Sequence, residues 1–156
     1  MSLTRPITRR SLIQSLAATA GLFSLAMVMP RSVLAWAESA FRASAEPDAM
    51  QALYGDLPIE ESDQVTIRMA DIAENGAVVP VTLISTVPGT ESISLFVENN
   101  PLPLVAQFMI LEGTDADIST RIRMEGTSKV TAVVKVGDRL YRNSRVVSVT
   151  VGGCGV

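Results

Sequence analysis

Residues 58–151 predict an all-β fold, an antiparallel sandwich, with a short helical segment before it. Apolar and polar residues alternate at period two in Val65-Thr66-Ile67-Arg68-Met69, and again along Val130 to Val136 and Val147 to Val151. Ile118, Ile122 and Met124 share one face of a further run, with Arg121 and Arg123 on the other. That pattern marks strands with one buried and one wet face. Turn signals stand between the apolar runs at Asn75-Gly76, Pro88-Gly89 and Asn99-Asn100-Pro101. About seven short strands with no helices between them describe a β-sandwich of immunoglobulin-like form. The cysteine pair and central tryptophan of antibody domains are missing, since Cys154 and Trp36 are the only residues of their kinds.

Residues 1–35 have the layout of an export signal. Arg9 and Arg10 precede a mildly apolar stretch, Leu16 to Met29, that ends in Val33-Leu34-Ala35. The stretch is short of the about 20 residues a membrane-spanning helix needs. The paired arginines point to the twin-arginine (Tat) route and a periplasmic location without a membrane anchor. Cleavage fits after Ala35 or after Ala37.

Residues 36–57 are alanine-rich and predict one short helix, or two pieces broken near Pro47, because proline removes a helix donor. Phe41, Met50, Leu53 and Tyr54 provide its docking face. Gly55-Asp56-Leu57-Pro58 then turns the chain into the strands. Further strands are expected in Ala77 to Ile84, Ile93 to Val97 and Leu104 to Leu111. Pro80 interrupts the first of these, which places it at an edge or a bulge.

Four of the 13 basic residues lie in the signal and no acidic residue does. From residue 36 onward nine basic groups face 16 acidic ones, a formal net charge of −7. This argues against nucleic acid and anionic membrane surfaces as partners. The chain has no histidine, which excludes imidazole metal sites and Ser-His or Cys-His catalysis within it. Asp115-Ala116-Asp117 is most simply a solvated loop, and no phosphate-binding or nucleophile-elbow motif is present. Any chemistry in which the chain takes part uses catalytic groups from other proteins, and no cofactor is expected.

The chemistry-bearing feature is residues 152–156, Gly-Gly-Cys-Gly-Val, just past the last predicted strand. Gly152, Gly153 and Gly155 allow many backbone conformations around Cys154. An extended backbone from Val151 to Cys154 spans about 10 Å, enough to place the sulfur in another protein's pocket. The segment suits a covalent carrier arm. An intermolecular disulfide staple and a tail without a role are the other readings of a lone cysteine here. The nearest cation in sequence is Arg145, and a thiol of ordinary pKa is only about 3% thiolate at pH 7. Activation is therefore expected from an enzyme's pocket rather than from this chain.

Three stretches together resemble the SoxY family, sulfur carriers of the periplasmic sulfur-oxidation (Sox) system. They are Ile72 to Thr82, Ser119 to Met124, and Val149 to Gly155 with its glycine-flanked cysteine. Asn100-Pro101 with Phe108, and Val130 to Tyr141, fit the same pattern. The family usually ends Gly-Gly-Cys-Gly-Gly, where this sequence has Val156. The resemblance implies that Cys154 carries the oxidation intermediates of thiosulfate or sulfide on a swinging arm of Gly152, Gly153 and Gly155. It implies a heterodimer with a smaller SoxZ-like sandwich subunit. Transient partners would be a haem c thiosulfate-coupling enzyme, a dimanganese sulfate-releasing hydrolase and, where present, a sulfane dehydrogenase. The chain itself would be non-catalytic. The reading from another class is a structural or adaptor sandwich that uses Cys154 for an intermolecular disulfide.

Overall fold

The computed structural model describes residues 38–150. The predicted signal with Arg9 and Arg10, both cleavage positions, Trp36, and the segment with Gly152, Gly153, Cys154 and Gly155 lie outside the described residues. A helical stretch at 38–42 and α1 (Glu46–Tyr54) precede nine strands. These are β1 (Ile59–Glu61), β2 (Val65–Arg68), β3 (Ile72–Ala73), β4 (Val79–Ser85), β5 (Ser92–Val97), β6 (Leu104–Met109), β7 (Asp117–Ile122), β8 (Ser128–Val136) and β9 (Arg139–Val149).

The helical segment breaks at residues 43–45, just ahead of Pro47. Pro47 sits in the first turn of α1, where a helix has no use for the missing N–H. Ala40, Ala49 and Tyr54 are buried against the large sheet, with Phe41, Met50 and Leu53 packed around them.

One sheet runs β1-β9-β8-β5-β6, with β3 added along β9; the second runs β2-β4-β7. Val65, Ile67, Val79, Val81 and Leu83 from the small sheet meet Ile93, Leu95, Val97, Val130, Ala132 and Val134 from the large one. This inner core is the expected period-two face. All six residues of β5 are buried, because the sandwich covers one face of that strand and the helical segment covers the other. Phe96, Leu104, Val133 and Leu140 form the floor on which the helices sit. Each fully buried side chain of this size is worth about 1.5–3 kcal/mol.

Two details go beyond the predicted pattern. The sandwich is not wholly antiparallel: β1 and β3 are short strands that pair parallel with β9. Pro80 lies in the middle strand of the small sheet, yet it is locally at an edge. The pairing of β2 stops at Arg68 opposite Thr82, so only β7 flanks β4 at Pro80. The missing N–H therefore leaves no position of the β2 ladder unfilled.

β9 is the larger departure. It starts at Arg139, eight residues before the run that suggested it, and pairs with β8 from Ser128↔Val147 to Val136↔Arg139. The register puts Asn143 opposite Ala132 and Arg145 opposite Val130, both core-facing positions of β8. These polar side chains face inward at the sandwich margin, where they meet free backbone of β2. Asn143 Nδ2 donates to the Val65 carbonyl at 2.7 Å, and Arg145 Nη1 to the Ile67 carbonyl at 3.2 Å. On the opposite face Val146 is 64% exposed. The apolar-in, polar-out rule is thus inverted in the middle of β9, and two side chains take the place of a strand along the edge of β2.

Candidate functional site

The described residues end at Thr150, where the chain leaves β9 toward Cys154, and this exit is held from both sides. On one side β3 pairs in parallel, Ile72 with Ser148 and Ala73 with Val149. The Ser148 N–H donates to the Asp71 carbonyl at 2.9 Å and the Thr150 N–H to the Ala73 carbonyl at 3.0 Å. Thr150 Oγ1 adds a bond to the Glu74 carbonyl at 2.9 Å. On the other side the Val149 N–H donates to Thr127 Oγ1 at 3.0 Å. Arg145, through an ion pair with Asp71, ties the segment ahead of β3 to the same strand. Four hydrogen bonds and one ion pair therefore fix the origin of the cysteine-bearing segment on the body of the domain.

The strand that makes this clamp is too short to show in sequence. β3 has two residues, and Ile72 is 60% exposed. Its visible cue is the Asn75-Gly76 turn that follows. The Ala77 N–H donates to Asn75 Oδ1 at 2.8 Å, a local side-chain turn, and the Met124 N–H then donates to the Gly76 carbonyl at 2.7 Å. Thr127 and Thr150 gave no warning of their role, since a threonine in a turn or at the end of a strand is ordinary.

Beside the exit lies a groove of about 790 Å3. Ile72, Ala73 and Glu74 form one wall, the first half of β4 the floor, and Ser119 to Arg121 of β7 the far side. It exists because β2 ends at Arg68 and leaves Val79 to Val81 without a neighbour on that side. Thr82 and Ser119 hydroxyls are joined at 2.8 Å on the same outer face.

The charges around this groove are unusual for so acidic a chain. Among the described residues Arg42, Lys129, Lys135, Arg139, Arg142 and Arg145 each pair with a carboxylate. Arg68 and Arg121 have no carboxylate partner among the described residues, and both line the groove. Arg121 and Arg123 are exposed on either side of buried Ile122, as the alternation predicts. Arg68 joins Arg121 only through the fold: the Arg68–Thr82 and Pro80–Arg121 pairings place both on the outer face of the small sheet.

Comparison with known proteins agrees with this architecture. The family model described as "Sulfur oxidation protein SoxY" matches residues 50–154. A solved structure of the sulfur carrier protein SoxY from Chlorobium limicola f thiosulfatophilum superposes with a TM-score of 0.63. It is 44% identical and the match covers 67% of this chain and 96% of that one. A structure concerning T cell activation by the bacterial superantigen toxic shock syndrome toxin-1 overlaps at a TM-score of 0.40 and 9% identity, over 55% of this chain and 98% of that one, too slight to inform the fold or the function. Among curated proteins no relative matches.

Proposed function

Because the chain belongs to the SoxY family of sulfur-oxidation proteins, we propose that it is a periplasmic carrier that holds sulfur intermediates covalently on Cys154. The observation that carries this is the extent of the family match, which runs through the strand exit to residue 154. The clamped origin at Thr150 supports it, since a carrier needs a fixed body and a presented thiol.

In this scheme the Cys154 thiol and thiosulfate are joined through a new S–S bond. The product is Cys-S-S-SO3⁻, and the thiol proton and two electrons leave, the electrons going to a haem c enzyme. Water then attacks the sulfonate sulfur in a hydrolase, which releases sulfate and two protons and leaves a persulfide anion on Cys154. Neither step calls for an acid–base group from this chain; its residues position the substrate. The partners in this reading would be a SoxZ-like subunit, a haem c coupling enzyme, a dimanganese hydrolase and, where the system has one, a sulfane dehydrogenase. The predicted Tat signal would carry the folded chain to them.

Intact mass spectrometry of protein taken from cells oxidising thiosulfate tests the proposal. Adducts of sulfur, sulfonate or thiosulfonate on the peptide containing Cys154, removed by reductant, are the expected result. Cys154→Ser should abolish thiosulfate oxidation while leaving assembly with the smaller subunit intact. Loss of assembly in that variant, or a permanent disulfide to one partner, would replace the carrier with the adaptor reading.

A further inference from the structure

We propose that residues 69–75 form a strap that opens as a unit, frees Ser148 to Thr150 from the body of the domain, and so lengthens the tether of Cys154 by three residues. The proposal deepens the carrier reading and rests on it.

The strand register marks where the hold on β9 changes. Pairing with β8 ends at Ser128↔Val147, and Val147 is fully buried. Beyond it, among the described residues, the only strand beside β9 is β3, through Ile72↔Ser148 and Ala73↔Val149. On the other side stands one threonine hydroxyl, Thr127 Oγ1, which accepts from the Val149 N–H. Ser148, Val149 and Thr150 thus belong to the sheet through the strap and a single side chain. The residues before them are zipped to a nine-residue strand. A segment with few buried contacts and exposed backbone bonds opens locally, below the free energy of global unfolding.

The strap is fixed at its ends and lightly held between them. Arg68 closes the β2 ladder opposite Thr82, and the Gly76 carbonyl accepts from the N–H of buried Met124 at 2.7 Å. Between these points Ala73 is the one buried residue, with a single methyl group to offer, and Ile72 is 60% exposed. Little apolar area is therefore returned to water when the strap lifts. The ion pair of Asp71 with Arg145 adds a second hold, but its aspartate side chain is 84% exposed. A pair so open to water is weak and sensitive to salt. Breaking it leaves the Arg145 guanidinium still bonded to the Ile67 carbonyl at 3.2 Å. On the β9 side, partly buried Val149 is the apolar side chain that has to move.

The consequence is reach. With the strap closed, four residues separate Thr150 from Cys154, an extended span of about 13–14 Å. With it open the last firm residue is Val147, and seven residues span about 23–25 Å. A carrier that serves several enzymes meets pockets of different depth. A shallow pocket takes the thiol from the closed form. A pocket deeper than about 14 Å binds the open form alone, and its apparent affinity falls by the fraction of molecules that are open.

Hydrogen exchange of the full mature protein, followed amide by amide by NMR, tests the strap. The Ser148, Val149 and Thr150 amides should share one protection factor, at least about tenfold below that of the β8–β9 ladder. Asp71→Ala should lower all three together by about two- to fivefold, the range of an exposed ion pair. In 1 M salt, where charges are screened within about 3 Å, the wild type should show the same loss and the variant none. Asp71 is remote in sequence from these amides, so their intrinsic exchange is unchanged, and unaltered ladder amides confirm that the variant is folded. Asp71→Asn, which keeps the side-chain shape, should behave like the alanine variant. Protection that falls stepwise from Ser148 to Thr150 would mean fraying from the chain end and would overturn the strap. So would three amides that exchange only together with the ladder, or that ignore the loss of Asp71. None of these outcomes depends on sulfur chemistry. Absence of sulfur adducts on Cys154 would remove the carrier reading and leave the opening of the strap intact.

Discussion

Tyr54→Phe probes the junction of the helical segment with the sandwich, and its signature is a dependence on pH. The Tyr54 hydroxyl donates to Ser94 Oγ at 2.7 Å beneath α1, and Ser94 is fully buried. Burial pushes the phenol up to about 12, against the smaller lowering influence of its hydrogen bonding with Ser94 and Ser92. At neutral pH the phenylalanine variant leaves the Ser94 hydroxyl without this partner, at a cost of about 1–2 kcal/mol. The folded-state pKa is raised, so Tyr54 stabilises fully below the unfolded value near 10 and loses that contribution as pH rises toward 12. At pH 11 the unfolded chain has released the proton and the folded chain has kept it, which costs the wild type about 1.4 kcal/mol. The deficit of the variant should therefore close as pH rises from 8 to 11. Urea unfolding midpoints for both proteins, at constant ionic strength, measure this, and titrations common to both cancel. A deficit that stays constant through pH 11 would refute the buried, hydrogen-bonded phenol.

At acid pH, the Lys135 side-chain hydrogen bond at 2.5 Å, helped by the Gly137 N–H, holds the Glu91 carboxyl below the usual carboxylate range. Its contribution is present above the unfolded pKa and lost as pH falls through the lowered folded value. E91Q should accordingly show a shallower acid loss of urea stability than the wild type, by a small amount because the carboxylate is exposed; identical acid profiles would contradict the pairing. Asn100 donates to the Arg123 carbonyl at 2.8 Å and accepts from the Glu125 N–H at 3.0 Å, pinning the loop that carries buried Met124. Asn100→Ala should cost about 1–3 kcal/mol in chemical unfolding, and a loss below about 0.5 kcal/mol would show that the loop holds itself.

The parts of this fold that were legible in sequence are those where one face of a strand meets the core. β2, β7 and the core face of β8 follow the alternation, β5 showed only as an apolar run because both of its faces are buried, and the Asn-Gly and Pro-Gly turns fall between strands. β9 was half legible, because Asn143 and Arg145 occupy inward positions that the period-two rule reserves for apolar residues. Their partners are the Val65 and Ile67 carbonyls, about 78 residues away in sequence, and a one-dimensional pattern holds no record of such a bond. β1 and β3 were invisible for a related reason: three- and two-residue strands have no period to detect, and their pairing depends on β9 being in place. At the site, the glycine-flanked cysteine stood out at once, but the groove did not. Arg68 and Arg121 lie 53 positions apart, and only the β2-β4-β7 register places them on one face.

The clamp at Thr150 can be tested by itself, and the result bears on how a carrier arm works. If the end of β9 were free from Val146 onward, a thiol at Cys154 would hang on a longer tether and sweep a wider volume. With Thr150 bonded to Ala73 and Glu74, the tether of the proposed carrier would begin at the end of the clamp, which raises the effective concentration of its thiol near the domain body. Thr150→Val keeps the backbone bond to Ala73 but removes the Oγ1 bond to the exposed Glu74 carbonyl. Since water replaces the lost donor, global stability should change by less than about 0.5 kcal/mol. The local effect should be larger: hydrogen exchange at the Thr150 amide should speed up about two- to tenfold, the factor that about 0.5–1.4 kcal/mol of local bonding represents. Thr150→Ser, which retains the hydroxyl, should exchange like the wild type. A wild-type Thr150 amide that exchanges as fast as in an unstructured peptide would mean that the tether begins inside β9, and the confinement argument would fail with it.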